Sequence, residues 1–386
     1  MIRKHIRFLS TVLLFWFGQY IFSPFFMPYL NSLEITATLA GLISSIYGFS
    51  QLLLRIPFGV SADKLRSHKF FMLIGFIFLA LAGVMLYTAS HPATLVLARF
   101  FSGAAASTWV SFTVFFTSRF PAKDTGKAVS TVIMVNNFGI LLSYGLGTLI
   151  FDRVGIHNLF LISVAVSVIG AILIISLPEE KKTSQTPITM KSVFFTIKNK
   201  NLLNYSLMAA LLHTIIFATA MSFTANYAKT LGATGVQLGI LSISYNGIGV
   251  LGSYWMSTNA SRKISDRTKM VFSFMLLGIS CFTIPNSNHM VMIYAAQVFG
   301  GIGRAILLSL TMEASLRQIP SELKSTAMGT YQSLYSIGMT LGPVIMGFAL
   351  DYTSSYRISY YLIGILSILG VAWGFGTARS KKEATM

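Results

Sequence analysis

Along the chain, continuous apolar runs of span length alternate with short breaks of polar, charged or turn-forming residues. A helix that crosses a bilayer needs about 20 apolar residues, whereas a membrane β-strand shows apolar–polar alternation over about ten. The runs here are continuous and have the helical length, so the pattern predicts twelve helices. They lie near 9–30, 38–61, 70–89, 93–116, 128–150, 158–177, 203–226, 237–257, 270–286, 290–312, 327–350 and 358–378. The breaks carry turn or charge signals, as at Ala89-Ser-His-Pro, Phe120-Pro, Asp152-Arg-Val-Gly, Ile284-Pro-Asn and Ile319-Pro. The basic start, Met1-Ile-Arg-Lys-His-Ile-Arg7, runs into a span with Gln19, Pro24 and Pro28 and no small-residue cleavage pattern. It is expected to be retained as an uncleaved first span.

The longest break is polar and falls at the middle of the chain. It divides the sequence into a first six-helix bundle over 1–178, a linker over 179–201 and a second bundle over 202–386. A constant shift relates the two halves. Adding 198 pairs Tyr29 with Tyr227, Thr36 with Thr234, Gly41 with Gly239, Tyr47 with Tyr245, Phe76 with Phe274 and Gly103 with Gly301. A shift of 199 pairs Pro121 with Pro320, Gly139 with Gly338 and Asp152 with Asp351. Matches at Gly, Pro, Tyr and Asp under one nearly constant shift are not expected by chance. Two six-helix halves in parallel register are the signature of a carrier that rocks between two states.

Composition agrees. Apolar residues make up 54% of the chain and charged residues 10%, too few to cover a soluble surface. The net charge of +18 invites a nucleic-acid reading, which the positions of the bases oppose. With both termini inside, 23 of the 29 Lys and Arg fall on the cytoplasmic side, and only Arg153, Lys229 and Arg357 lie outside. This asymmetry predicts a multi-pass protein of the cytoplasmic membrane with both termini cytoplasmic. The single cysteine, Cys281, leaves no disulfide framework and no thiolate metal site.

Three motifs follow. After span two the chain reads Arg55-Ile-Pro-Phe-Gly59-Val-Ser-Ala-Asp63-Lys64-Leu-Arg66-Ser-His-Lys69. Span four carries Arg99-Phe-Phe-Ser-Gly103. Span eleven carries Gly329, Gly338 and Gly342-Pro343, whereas span five keeps Gly139 and Gly147 but has Ser143-Tyr144 in place of Gly-Pro. These segments resemble the loop 2–3, span-four and antiporter signatures of the major facilitator superfamily, with Arg66 where the family usually has Gly. The resemblance covers essentially the whole chain. It implies an all-α membrane fold of twelve helices in two pseudo-symmetric six-helix bundles. It also implies gating roles for Gly59, Asp63, Lys64, Gly338, Gly342 and Pro343, and a proton-transfer or electrostatic role for Arg99.

Substrate groups are sought on the polar stripes of the spans, because lipid would penalise them. Ser44, Tyr47, Gln51 and Arg55 recur at helical spacing in span two, and Gln297, Gly301 and Arg304 do so in span ten. Asn136, Asn137, Tyr245, Asn246, Tyr331 and Tyr335 add uncharged groups. These residues can equally bond helix to helix. His213 in span seven belongs to the residue type whose ordinary pKa is near neutral and is the second proton-coupling candidate, although a lone His is more often an interface residue. The acids lie in loops, at span ends or in the tail, so Arg55, Arg99 and Arg304 have no carboxylate at mid-membrane depth.

No Walker motif, metal-ligand cluster or nucleophile–base arrangement stands in the sequence, so neither an enzyme nor a cofactor is expected. The leading expectation is a monomeric, proton-coupled exporter of a small organic solute, working by alternating access. Its partners would be the solute, protons and membrane lipid, with no nucleic acid. The alternatives are uptake of an organic anion, for which the arginines argue, or a non-transporting sensor on the same scaffold.

Overall fold

The computed structural model describes residues 5–65, 67–121, 125–178, 190–320 and 323–383. Arg3, Lys4, Arg66, Lys123 and residues 179–189 of the expected linker lie outside the described residues.

The described residues form helices without a strand. In chain order these are α1 (Ile6–Tyr20), α2 (Ser23–Ser32), α3 (Ala37–Leu65), α4 (His68–Thr88), α5 (Pro92–Ser107) and α6 (Trp109–Thr117). Next come α7 (Thr125–Ile175), α8 (Met190–Ile197), α9 (Lys200–Ala218), a π-helical turn over Thr219–Phe223, and α10 (Thr224–Thr230). The rest are α11 (Gly235–Ser257), α12 (Asn259–Arg262), α13 (Asp266–Thr283), α14 (Met290–Leu316), α15 (Lys324–Thr353) and α16 (Tyr356–Glu383).

Ten stretches among the described residues are long and apolar enough to cross a membrane. The twelve predicted segments fit this number. Spans five and six lie in α7, which Gly155 parts with a φ of 72°. Span eight is the 23-residue helix α11, whose Ser, Gly, Tyr and Asn content lowers its hydropathy. Inside lipid every backbone amide needs a partner in the chain, so each span stays near-helical up to its turn signal, with single turns at residues 21–22 and at Thr108. His91 accepts from Ala93 N–H at 3.3 Å and Pro92 opens α5. Thr234 and Gln237 form a capping box on α11, and Ser265 accepts from Thr268 N–H at 3.1 Å to start α13.

Two compact units emerge from the packing. One comprises Met1–Ser23, Ile46–Asn199 and Ile319–Ser333, and the other Pro24–Ser45, Lys200–Gln318 and Leu334–Met386. Thus α3 and α15 each divide between the units part-way along. The first unit has an aromatic core. Phe8 stacks on Phe116 at 4.9 Å, and Phe15 meets Phe112 at 4.8 Å and Phe76 at 5.3 Å.

The duplication is visible in the glycine contacts of each unit. A side chain at Gly103 would clash with the Tyr47 carbonyl, and one at Gly301 with the Tyr245 carbonyl. Likewise Gly170 accommodates the Phe76 ring and Gly370 the Phe274 ring. Gly139 crosses Leu13 O as Gly338 crosses Ala210 O. Sites about 198 residues apart therefore make the same backbone approach.

Candidate functional site

In the first unit the close approach of α5 to α3 at Gly103 sets Arg99, one helical turn earlier, over Tyr47. The guanidinium carbon lies 4.8 Å from the ring centroid, within cation–π range. Tyr47 hydrogen-bonds Tyr20, and the phenols of Tyr47 and Tyr20 are the electrostatic partners of Arg99. Tyr20 in turn meets Tyr144 edge-on at 6.0 Å. Beneath them, Gln19 Nε2 donates to Ser102 O and Ser102 Oγ, both at 3.0 Å. This is a buried polar layer built of phenols, amides and one cation.

The span-two stripe divides along its length. Ser44 donates to Met27 Sδ at 3.5 Å, and Gln51 Nε2 donates to Tyr47 O at 3.3 Å. Arg55, buried like Gln51, donates to Gln51 Oε1. The structure thus joins Gln51 and Arg55 to each other. Asn136 is half-buried on α7 and Asn137 is exposed, whereas Tyr331 is fully buried. Farther along α3, Gly59 is buried, Lys64 is exposed, and Asp63 Oδ1 lies 3.4 Å from His68 Nε2.

The second unit has its own cation–π pair. Gly301 packs on the Tyr245 carbonyl, and three residues on, Arg304 sets its guanidinium 5.2 Å from the Tyr245 ring centroid. Gly249 makes the room, since a Cβ there would stand 2.8 Å from Arg304 Nη2. Gln297, the repeat mate of Arg99, is completely buried, and its amide makes no hydrogen bond among the described residues. Asn246 Nδ2 donates to Ser242 O at 3.0 Å, so its amide is spent on its own helix.

His213 stacks on Tyr335 with ring centroids 4.1 Å apart and planes 2° from parallel. Its Nδ1–H donates to Ala209 O at 2.7 Å. Gly338 and Gly342 hold α15 against the same helix, where side chains would clash with Ala210 O and Thr214 O. The Pro343 carbonyl occupies the space beside Gly41. The glycine motif of span eleven is therefore a helix-packing seam beside the His213–Tyr335 stack.

Four features lie outside the sequence-derived set. Tyr20, Tyr144 and Gln19 complete the Arg99 layer. Polar residues in an apolar span were the available signal. The turn at Thr219–Phe223 is π-helical, a rare form frequent at functional sites. Asp351 accepts from backbone amides at the start of α3. Finally, Arg317 pairs with Asp266 and with Glu313 at 3.1 Å, and Lys269 lies 3.7 Å from Asp266. Hydrogen bonding to Asp266 and then to Glu313 raises the Arg317 pKa above its ordinary value. This cluster lines a cavity of about 550 Å³ together with Arg262.

The family model of the Major Facilitator Superfamily matches residues 8–284 and again 207–385. The chain belongs to that superfamily. It is 23% identical over 383 residues to an uncharacterized MFS-type transporter of Methanocaldococcus jannaschii, covering 92% of this chain and 94% of the relative. It is 24% identical over 159 residues to the quinolone resistance protein NorA of Staphylococcus aureus, covering 41% of this chain and 40% of NorA. Among solved structures, the nucleoside transporter NupG superimposes with a TM-score of 0.78 at 14% identity, over 97% of this chain and 99% of NupG. A bacterial homolog of the lysosomal transporter Spinster gives 0.76 at 14% identity, over 97% and 96%. The solved structures share its fold, and the family membership supports a multi-pass secondary transporter.

Proposed function

We propose that the protein exports a small organic solute across the cytoplasmic membrane by alternating access, in exchange for protons. Both termini face the cytoplasm in this reading, which the bias of 23 bases to one side supports. The observation that carries the export reading is the span-eleven seam. Gly338 and Gly342 lie on Ala210 O and Thr214 O with no side chain between, so α15 can pivot or slide on α9 without repacking. The partial likeness to NorA, a quinolone resistance protein, favours the same direction. In this reading Gly59, Asp63, Lys64, Gly338, Gly342 and Pro343 serve the gates, and Arg99 and His213 couple proton movement to them. The protein acts as a monomeric carrier and not as an enzyme.

A second reading has its own support. Arg99 and Arg304 each lie on a tyrosine ring inside a span, and Arg99 also faces the Tyr20 phenol. Arginine stays protonated and presents a fork suited to a carboxylate. A substrate bearing a carboxylate or phosphate-like group suits such a fork, and uptake of such an anion is the alternative direction.

Proteoliposomes under an imposed pH gradient, assayed with cationic, neutral and anionic compounds, test both readings. Proton-driven accumulation on the side that corresponds to export supports the first. Arg304→Gln keeps hydrogen bonding and removes the charge. It is expected to reduce transport of anions at least tenfold while leaving neutral compounds within twofold. Undiminished anion transport in that variant removes the second reading.

A further inference from the structure

The first four amides of a helix have no acceptor within it. At the start of α3, Leu39 N–H donates to Thr36 Oγ1 at 3.2 Å and Ala40 N–H to Thr36 O at 3.0 Å. The remaining pair goes to Asp351, 313 residues away, at the end of α15. Its Oδ1 accepts from Ala37 N–H at 3.0 Å and its Oδ2 from Thr38 N–H at 2.7 Å. A carboxylate there also meets the positive end of the helix dipole. Two glycines bring the backbones together beside it. A side chain at Gly347 would clash with Ala37 O, and one at Gly41 with Pro343 O.

The repeat mate of this arrangement is different. Asp152 is exposed, and α11 caps itself through Thr234 and Gln237. The clasp therefore exists at one of two sequence-equivalent places. It is also placed to come apart. Its hydrogen bonds are exposed to solvent, so water can take over both amides and the carboxylate when it opens. The glycine crossing interposes no side chains that would have to repack.

We infer that Asp351 is a positioning residue of the transport cycle: it clasps the start of span two to the end of span eleven while that face of the carrier is closed, and its release opens that face. This rests on the alternating-access reading, in which α3 belongs to the first six-helix half and α15 to the second.

Nitroxides at Leu33→Cys and Tyr352→Cys, both exposed positions, report the clasp through their distance distribution. Cys281 is buried and stays unlabelled. Asp351→Asn keeps one acceptor and loses the charge. It is expected to raise the population at long distance about tenfold, the equivalent of one charge-assisted hydrogen bond. Asp351→Glu should restore most of the wild-type distribution, which a purely structural role for the residue's shape would not allow. Gly347→Ala forces the crossing apart with Asp351 intact, and it decides the matter if Asp351→Asn does not fold. It should produce the same long-distance population and a changed maximal transport rate at nearly unchanged KM. An unchanged distance distribution in the folded variants overturns the clasp. Failure of the wild-type protein to transport any compound would instead count against the transporter reading, with the distance measurement still testing the clasp.

Discussion

The repeat-related basic positions of the two copies serve opposite ends. The shift of 198 carries Asp63 to Ser261, Lys64 to Arg262, His68 to Asp266, Phe115 to Glu313 and Arg119 to Arg317. In the second copy the arginine is bound by two carboxylates, Asp266 and Glu313. In the first, Arg119 lies 4.0 Å over the Phe115 ring and donates to Pro178 O at 2.8 Å. There the acid has moved to position 63, where it faces His68. Lys69 spends its ammonium on the Ile175 carbonyl at 2.9 Å and that of Leu177. The second copy carries an ion-paired cluster, whereas in the first Arg119 meets a ring and a carbonyl and Lys69 two carbonyls. Duplication preserved the scaffold while the charges were redistributed, so the copies should respond differently to the same substitution.

The largest difference is expected at the residue four before each arginine. Phe115 is buried, stacks on Phe8 at 5.5 Å and belongs to the aromatic core of the first unit. Phe115→Ala should cost about 3 kcal/mol or more through the cavity it leaves. Glu313 is 62% exposed, so Glu313→Ala removes a solvent-screened pair worth about 1 kcal/mol at most. Thermal unfolding in detergent should show a large fall for the first variant and a small one for the second. Equal falls would mean that Glu313 is as structural as Phe115.

Next in size is Arg317→Gln, which leaves Asp266 and Glu313 without their shared cation. Asp266 keeps Lys269, and the arginine side chain is 41% exposed, so screening limits the loss to about 1 kcal/mol. The pKa of Arg317 is raised, so its contribution is complete at low pH and is lost only as pH rises through that raised value. Stability conferred by this arginine should therefore be constant between pH 6 and pH 9, within about 0.3 kcal/mol. A wild-type-minus-variant difference that falls steadily over that window would assign the effect to another group.

The sequence made the spans and the repeat readable for a definite reason. Lipid enforces long apolar helices, and backbone crossings enforce glycine, so Gly103 with Gly301 and Gly139 with Gly338 stand out. The arginine–tyrosine pairs were legible only as separate members of stripes and motifs. Helical spacing brings Arg55 and Gln51 together as readily as it turns both towards a cavity, and only the structure shows their bond. The contact of Asp351 with Ala37 and Thr38 was hidden because Asp152 and Asp351 look alike at two repeat-related span ends. Which of them finds free amides is a matter of tertiary packing. No Pro or Gly marks the π-helical turn at Thr219–Phe223, so no local signal pointed to it.

The smallest effect on the fold, and the sharpest on function, is expected at Asp63. It lies near the end of α3 and is 16% exposed, and its Oδ1 stands 3.4 Å from His68 Nε2. Asp63→Asn keeps the shape and one acceptor, so thermal stability should change by about 0.5 kcal/mol or less. In the gating role proposed here, the carboxylate charge favours one of the two access states. A hydrogen bond to a charged group is worth roughly 1.5–3 kcal/mol, enough to move a balanced two-state equilibrium tenfold. Transport should therefore fall about tenfold at normal expression and melting temperature. Ser261→Asp, which restores an acid at the equivalent place in the second copy, should alter transport by less than twofold, because Arg317 there is already committed to Asp266 and Glu313. If Asp63→Asn transports like wild type, or if Ser261→Asp changes transport as much, the two loops are not divided into a switching copy and a fixed one.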